Sequence, residues 1–102
     1  MRFIVLKYTF VNSNMDFDIA AKHVSAQKNN SDVTDDIKLQ FYALYKCATV
    51  GTCSDSGGRK PIFKAERRLK WKAWNALGNL SKEQAKQNYV ELLDRVDPHW
   101  RT

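Results

Sequence analysis

Apolar residues recur at helical spacing in four separate stretches, and no stretch alternates apolar and polar residues as a half-buried strand does. Each stretch places its apolar side chains on one face of a helix. The four stripes are Phe17, Ala20, Ala21 and Val24; Ile37, Phe41, Leu44, Tyr45 and Ala48; Trp71, Trp74 and Leu77; and Ala85, Tyr89, Leu92, Leu93 and Val96. The pattern predicts an all-α protein with four amphipathic helices around one core, a four-helix bundle.

Capping residues mark the expected starts of these helices. Ser, Thr and Asn side chains accept hydrogen bonds from the first unpaired backbone amides, and proline is tolerated at a first helical position. By this rule the helices begin at Asn12, Ser13 or Asn14, at Thr34, near Pro61, and at Ser81. Gln84 is expected to complete a capping box by reaching back to the Ser81 amide.

Glycine and proline mark the expected ends. Gly51 is placed to end the second helix in a left-handed conformation, and Gly78 ends the third. The Asp97–Pro98 step ends the fourth, because the residue before proline is pushed out of the helical region. The stretch 52–61 contains two serines and two glycines and predicts a long, turn-rich loop.

Length and composition limit the classes of protein. A chain of 102 residues has room for one domain with a modest core. The two cysteines are too few for a disulfide framework and lack metal-ligand spacing, so reduced thiols and a cytoplasmic setting are expected. No apolar run is long enough to cross a membrane. Residues 1–14 are expected to be an irregular leader, 15–100 the domain and 101–102 a tail.

The net charge and the second helix suggest an anionic ligand. A formal net charge of +6 favours nucleic acid, phosphorylated small molecules or an anionic membrane surface. Tyr42, Tyr45 and Lys46 lie at i, i+3 and i+4, so one helical face presents two phenols and a cation. Such a face can stack on a flat ring and hold a phosphate. Lys70 lies at the edge of the third apolar stripe, where its ammonium group can reach a neighbouring helix.

The alternative interpretation of these residues is structural. Aromatic residues at helical spacing commonly belong to a core, and a lysine beside them extends its charge to solvent. Tyr89 lies inside the fourth apolar stripe and fits a core position equally well.

Sequence patterns for catalysis are not found. His23 and His99 belong to no recognisable constellation and are expected on the surface. Cys47 follows Lys46, which allows a somewhat activated thiol, but a spectator cysteine is the favoured interpretation. No acid pair or nucleotide-hydrolase phosphate loop is present. A binding protein is therefore expected, with no enzymatic activity, no metal and no cofactor.

These stretches together resemble the acyl-CoA-binding protein family. The Tyr-x-x-Tyr-Lys-x-Ala-Thr-Val-Gly run at 42–51 and the Lys-Trp-x-Ala-Trp-Asn run at 70–75 are each specific. The segments 17–21 and 81–85, with Tyr89, extend the resemblance over about 16–96. It implies a four-helix bundle with a long crossing loop that binds long-chain fatty acyl-CoA, a coenzyme A ester, without chemistry.

The resemblance also implies roles for single residues. Tyr42, Lys46 and Lys70 are implied to contact the phosphorylated ribose of coenzyme A, and Tyr45 and Tyr89 to flank the adenine. Phe17, Ala21 and Leu39 are implied to shelter the acyl chain and pantetheine. Ser25 stands where the family often has a lysine that contributes to ligand contact, which weakens that one interaction. Lys38 stands where the family often has an apolar residue, which leaves the chain-length preference open.

The resemblance implies an intracellular carrier and buffer of the acyl-CoA pool, with acyl-CoA-using enzymes as partners. A monomer is expected because the third helix is expected to have no leftover apolar face. The alternative is a basic helical module that binds nucleic acid or a protein partner, motivated by the cations from Lys64 to Lys72. The ending at 96–100 is similar to the domain's end in larger members with ankyrin repeats, so the chain is either such a domain or a stand-alone relative.

Overall fold

The computed structural model describes residues 13–27, 33–54, 59–62 and 64–100. Four helices follow one another in these ranges, α1 (Ser13–Ala26), α2 (Asp35–Thr49), α3 (Ala65–Asn75) and α4 (Lys82–Val96), and the described ranges contain no strand. The all-α prediction is confirmed. Ser13 and Asn14, assigned above to the leader, are the first residues of α1, and residues 1–12 and 101–102 lie outside the described part of the chain.

Two predicted caps are present, and one of them is only half formed. The Ile37 amide donates to Thr34 Oγ1 at 3.3 Å, and the Gln84 amide donates to Ser81 Oγ at 3.1 Å. The Gln84 side chain points along α4 instead of back to the Ser81 amide, and its Nε2 donates to Asn88 Oδ1 at 2.8 Å. A partner one turn along the same helical face competes with the reciprocal half of a capping box.

The predicted start of α3 near Pro61 is wrong by four residues. Lys64, directly before the helix, has a φ of 64° and supplies no side-chain cap. A left-handed residue at this point turns the chain sharply, so the preceding residues cannot continue the helix backwards. Arg68 Nη1 donates to the Ile62 carbonyl at 2.9 Å and holds the approach segment beside the first turns of α3.

Two of the three predicted helix ends agree with the structure, whereas α3 ends at Asn75, three residues before the predicted Gly78. Gly51 follows α2 with a φ of 116°, and its amide and that of Val50 both donate to the Lys46 carbonyl. A side chain at this φ would be strained, which explains the glycine. Helix α4 ends at Val96, one residue before the Asp97–Pro98 step.

Helix α2 is the central element of the bundle. It packs against α4 and against α3, and α1 packs against α4. The core lies where these helices meet and includes Phe17, Ala20, Phe41, Leu44, Tyr89, Val90, Leu92 and Leu93, with Trp74 from α3. No helix within the described residues has both the length and the apolar composition that a membrane crossing requires.

His23 is not the surface residue expected from the sequence. It is half-buried, and its Nε2 lies 3.0 Å from Asp97 Oδ2. The Trp100 ring lies 5.9 Å from the His23 ring, centre to centre, and Trp100 Nε1 donates to Asp94 Oδ1 at 2.7 Å. These contacts fasten α1 to the end of α4.

Both cysteines are buried and carry reduced thiols, as predicted. Cys47 Sγ donates to the Leu80 carbonyl at 3.1 Å. Burial raises the pKa of the Cys47 and Cys53 thiols, which favours the unreactive protonated form. A protonated thiol that donates to a backbone carbonyl favours the spectator interpretation of Cys47 over an activated thiol.

Candidate functional site

Helix α2 presents the predicted phenols and cation along one partly exposed face. Tyr42 and Lys46 are half-buried and one turn apart, and Tyr45 is 44% exposed. The opposite face of α2, with Phe41, Leu44 and Cys47, is buried in the core. The side chains that the sequence placed at the site are therefore separated from those that stabilise the bundle.

Each of the helices α2 and α3 places one lysine over an aromatic ring of the other helix. Lys70 Nζ, from α3, lies 5.3 Å from the centre of the Tyr42 ring on α2. Lys46 Nζ, from α2, lies 4.9 Å from the Trp74 ring on α3. We call these four residues the cationic seam. Because position 42 meets 70 and position 46 meets 74, α2 and α3 run in the same direction, which requires the long connection between them.

Contacts around the cationic seam restrain its rings and leave its charges available. Trp74 Nε1 donates to the Gly51 carbonyl at 2.9 Å, so the ring under Lys46 has a fixed orientation. Lys70 Nζ lies 3.4 Å from Glu66 Oε2, an exposed pair of small energetic value. Among the described residues, Lys46 forms no ion pair. An ammonium group over an aromatic face keeps hydrogen-bond donors that a phosphate can use.

A second group of rings lies beside the seam, between α1, α2 and α4. The Phe17 ring stacks on Tyr45 at a centroid distance of 5.9 Å, and meets Tyr89 edge to face at 5.1 Å. Phe41 meets Tyr89 edge to face at 5.0 Å. We call these four residues the aromatic cluster. Offset and edge-to-face arrangements are the favoured ones for aromatic pairs.

The two predicted adenine-flanking tyrosines differ in exposure. Tyr45 presents an accessible ring, whereas Tyr89 is 3% exposed and occupies a core position. Burial raises the pKa of Tyr89 well above its ordinary value, and the nearby Tyr45 raises it further. In this conformation Tyr89 supports the rings around it, and the exposed platform is Tyr45.

The other predicted residues extend along α1 and α2. Phe17, Ala21 and Ser25 are spaced four residues apart, so they follow one stripe of α1 that passes from buried through half-buried to exposed. Leu39 is half-buried and lies one turn before Tyr42. Met15 and Ile19 on α1, 59% and 53% exposed, add apolar surface that the sequence reasoning did not single out.

Trp74 is the member of the seam that the sequence assigned only to the core. The signal that could have found it is a matched spacing, because Tyr42–Lys46 on α2 and Lys70–Trp74 on α3 are both i, i+4 pairs. A ring and a cation in reverse order on two parallel helices can pair twice across the interface.

A groove of about 550 Å³ lies on the other side of α2, between α3 and α4. Its floor includes Ala43 and Leu44, and Leu77 and Leu92 lie on its walls. None of the predicted site residues lines this groove, so it is separate from the cationic seam. The described residues contain no group of His, Cys, Asp or Glu side chains arranged to hold a metal ion.

Comparison with known proteins gives a consistent result. The family model described as acyl CoA binding protein matches residues 14–93. The solution structure of an acyl CoA binding protein from Babesia bovis is 45% identical, with a TM-score of 0.69, and the match covers 89% of this chain and 100% of that one. This neighbour confirms the four-helix fold.

Two curated relatives are much longer than this chain. Human enoyl-CoA delta isomerase 2 is 44% identical over 87 residues, which are 84% of this chain and 21% of the isomerase. Acyl-CoA-binding domain-containing protein 6 of Xenopus laevis is 41% identical over 85 residues, which are 82% of this chain and 28% of that protein. The chain thus spans roughly a fifth to a quarter of these relatives.

Proposed function

The chain belongs to the acyl-CoA-binding protein family, and we propose that it binds long-chain fatty acyl-CoA esters non-covalently as an intracellular carrier and buffer of the acyl-CoA pool. The observation that carries the proposal is the cationic seam beside an exposed tyrosine ring. An acyl-CoA ester combines a phosphorylated nucleotide with an apolar chain, and both kinds of surface adjoin here.

The proposed phosphate contacts are Lys46, Lys70 and Tyr42. Lys46 and Lys70 come from different helices, so one 3′-phosphate bound between them would bridge α2 and α3. Charge-assisted hydrogen bonds from ammonium groups to phosphate are about twice as strong as neutral ones. The Tyr42 and Trp74 rings restrict the two lysines before the ligand arrives, which lowers the entropy cost of binding.

The proposed adenine platform is Tyr45. Its ring is exposed on one side and stacked on Phe17 on the other, so a purine can extend the stack without opening the core. Tyr89 is proposed to hold Phe17 in place from below. Its own contact with the ligand is limited by its 3% exposure.

The proposed path of the acyl chain and pantetheine follows Phe17, Ala21, Ser25 and Leu39. Burial of each methylene contributes about 0.8 kcal/mol, so a groove that covers only part of a long chain still contributes strongly. Ser25 adds no charge at the position where the family often has a lysine, so Lys46 and Lys70 carry a larger share of phosphate recognition.

We assign no catalytic step to this chain. The match covers 21% of the isomerase, and the rest of that enzyme lies outside the match. We propose that the chain acts as a monomer in the cytoplasm and needs no cofactor. The proposed recipients of the ligand are acyl-CoA-using enzymes.

Calorimetric titration with palmitoyl-CoA tests the proposal directly. We expect saturation at one ligand per chain, with much weaker binding of free coenzyme A and of palmitate alone, because each lacks one half of the contacts. Tryptophan fluorescence should change on binding, since Trp74 lies under Lys46. Absence of both heat and a fluorescence change would contradict acyl-CoA binding.

A further inference from the structure

The positive charge of this protein is concentrated in a single segment. Residues 59–72 hold seven of the seventeen lysines and arginines and one of the eleven acidic residues, a net charge of +6 that equals that of the whole chain. The rest of the chain has ten cations and ten acidic residues and is neutral overall. A segment with this local excess attracts anionic surfaces far more strongly than the average charge indicates.

Most of these cations lie on an exposed face. Helix α3 packs against α2 through the side that carries Trp74, and no other helix of the described chain packs extensively against it. We call the exposed set Arg59, Lys60, Ile62, Lys64, Leu69 and Lys72 the basic face. Arg67 is left out because it is seven residues before Trp74, about 20° around the helix, and so lies on the side of α3 that packs against α2. Lys70 is excluded from it because it belongs to the cationic seam.

Two aliphatic side chains protrude among these cations. Ile62 is 79% exposed and Leu69 is 50% exposed, so the prediction that the third helix has no leftover apolar face is wrong. Leu69 is five residues before Trp74, about 140° around the helix, and therefore lies away from the core. The hydrogen bond from Arg68 to the Ile62 carbonyl holds Ile62 beside the same helix.

We propose that the basic face docks on the surface of an anionic lipid bilayer. Cations at the level of the headgroups gain electrostatic energy from anionic lipids, and aliphatic side chains that reach the acyl boundary gain by leaving water. The phosphates of a nucleic acid would attract the cations but would give Ile62 and Leu69 no favourable contact, because phosphate contacts are polar. The exposed aliphatic pair thus favours lipid over nucleic acid.

Vesicle co-sedimentation at about 0.15 M ionic strength tests the charge contribution. The wild type should bind phosphatidylcholine vesicles that contain about 30% phosphatidylserine, and should not bind pure phosphatidylcholine vesicles. The triple variant K60Q/K64Q/K72Q should lose on the order of 100-fold in partition, at about fivefold per cation. The matched control K22Q/K82Q/R95Q removes three exposed cations elsewhere and should lose much less.

A second variant tests the aliphatic contribution. I62S/L69S should weaken binding to the anionic vesicles severalfold and leave binding to a short DNA duplex unchanged. Circular dichroism melting of every variant shows that the fold is intact. Equal losses in the two triple variants, or no loss in I62S/L69S, would overturn the proposal. Tighter binding to the duplex than to the vesicles would also overturn it and identify a nucleic-acid face instead.

Palmitoyl-CoA titration separates this inference from the proposed function. K60Q/K64Q/K72Q keeps Lys46 and Lys70 and should bind palmitoyl-CoA within about twofold of wild type, a change of less than 1 kcal/mol. Loss of vesicle binding with retained palmitoyl-CoA binding supports the docking face. Parallel loss of both in this variant would mean that the cations belong to the ligand site and not to a separate surface.

Discussion

The cationic seam and the aromatic cluster both use rings from α2, but they use them for opposite purposes. In the seam, the Tyr42 and Trp74 rings lie under ammonium groups at the edge of the helix pair. In the cluster, Phe41 and Tyr89 meet edge to face in the interior. One helix therefore separates the proposed ligand-contacting residues from the core residues by angular position, and Tyr45, exposed yet stacked on Phe17, lies where the two sets meet.

Because the cluster is buried and the seam is partly exposed, we expect mutations in the cluster to lower fold stability and mutations in the seam to lower ligand affinity. A buried aromatic side chain contributes through transfer from water and through packing, so its loss lowers the stability of the fold. A half-exposed lysine contributes little to stability, because its charged head stays in water, where solvent screens its interactions. Stability and affinity should thus respond to different residues, although these residues are one or two helical turns apart.

The largest expected effect is in the aromatic cluster. Tyr89→Ala should lower the free energy of unfolding by about 3–5 kcal/mol, because it removes a buried ring that contacts both Phe17 and Phe41. Urea denaturation measures the change. Tyr89→Phe, which keeps the ring, should cost less than about 1.5 kcal/mol. A cost below about 1 kcal/mol for Tyr89→Ala would show that the cluster does not carry the core.

The next effect is in the cationic seam and should appear in affinity. Lys46→Ala and Lys70→Ala should each weaken acyl-CoA binding by about 1.5–3 kcal/mol, the range for hydrogen bonds to charged groups. Because both are proposed to contact one phosphate, the two losses should not add. Unfolding free energies should change little. Lys22→Ala, an exposed lysine on α1, is the matched control and should leave affinity unchanged.

A dephospho-CoA ester, which lacks the 3′-phosphate, sharpens this test. Wild type and the Lys46→Ala, Lys70→Ala double variant should bind the dephospho ester almost equally, because the group that the lysines are proposed to hold is gone. If the double variant keeps its full deficit against this ester, the lysines do not recognise the 3′-phosphate and the site assignment is wrong.

The third effect is a pH dependence confined to buried groups. The pKa values of Cys47 and Cys53 are raised in the folded state, whereas unfolded thiols ionise near 8.5. Stability should be complete below about pH 8.5 and fall as the pH rises, by up to ~1.4 kcal/mol per pH unit for each thiol. The raised pKa of Tyr89 adds a further decline above about pH 10.

Urea denaturation between pH 7 and pH 10 measures this slope. The Cys47→Ala, Cys53→Ala variant is the control, because it should be less stable overall but keep a flatter profile up to about pH 10. An equally steep decline in the variant would attribute the pH dependence to groups other than these thiols.

The smallest expected effect is the contribution of the seam to stability. Tyr42→Leu removes the aromatic face under Lys70 and keeps apolar bulk, so it should lower the free energy of unfolding by about 0.5–1 kcal/mol. Tyr42→Phe keeps the face and should be nearly neutral. A cost comparable to that of Tyr89→Ala would remove the distinction between the seam and the cluster.

Local patterns in the sequence were sufficient for the helices and for most of their ends. The caps at Thr34 and Ser81, the glycine after α2 and the end of α4 depend on residues at most a few positions apart. Such signals act through the backbone of one turn, so they are readable without knowledge of the neighbours. The i, i+4 spacing of Tyr42 and Lys46 likewise fixed a shared face before any packing was known.

Several features required the tertiary structure. His23 meets Asp97 across 74 residues, and Lys46 meets Trp74 across the long connection. The His23 pairing has no local signal. The matched i, i+4 spacings on α2 and α3 point to the Lys46–Trp74 pairing only once the direction and distance at which the two helices pack are known. The late start of α3 depends on the positive φ of Lys64, a conformation for which lysine carries no preference.

The sequence by itself determined the four helices of the described ranges, the face of α2 that presents Tyr42, Tyr45 and Lys46, and the net charge of +6. Only the packing decided that Tyr89 is buried while Tyr45 is exposed, since both lie in similar apolar stripes. The physical reason is that periodicity gives the direction of a side chain around its own helix, whereas exposure depends on which other helix covers that direction.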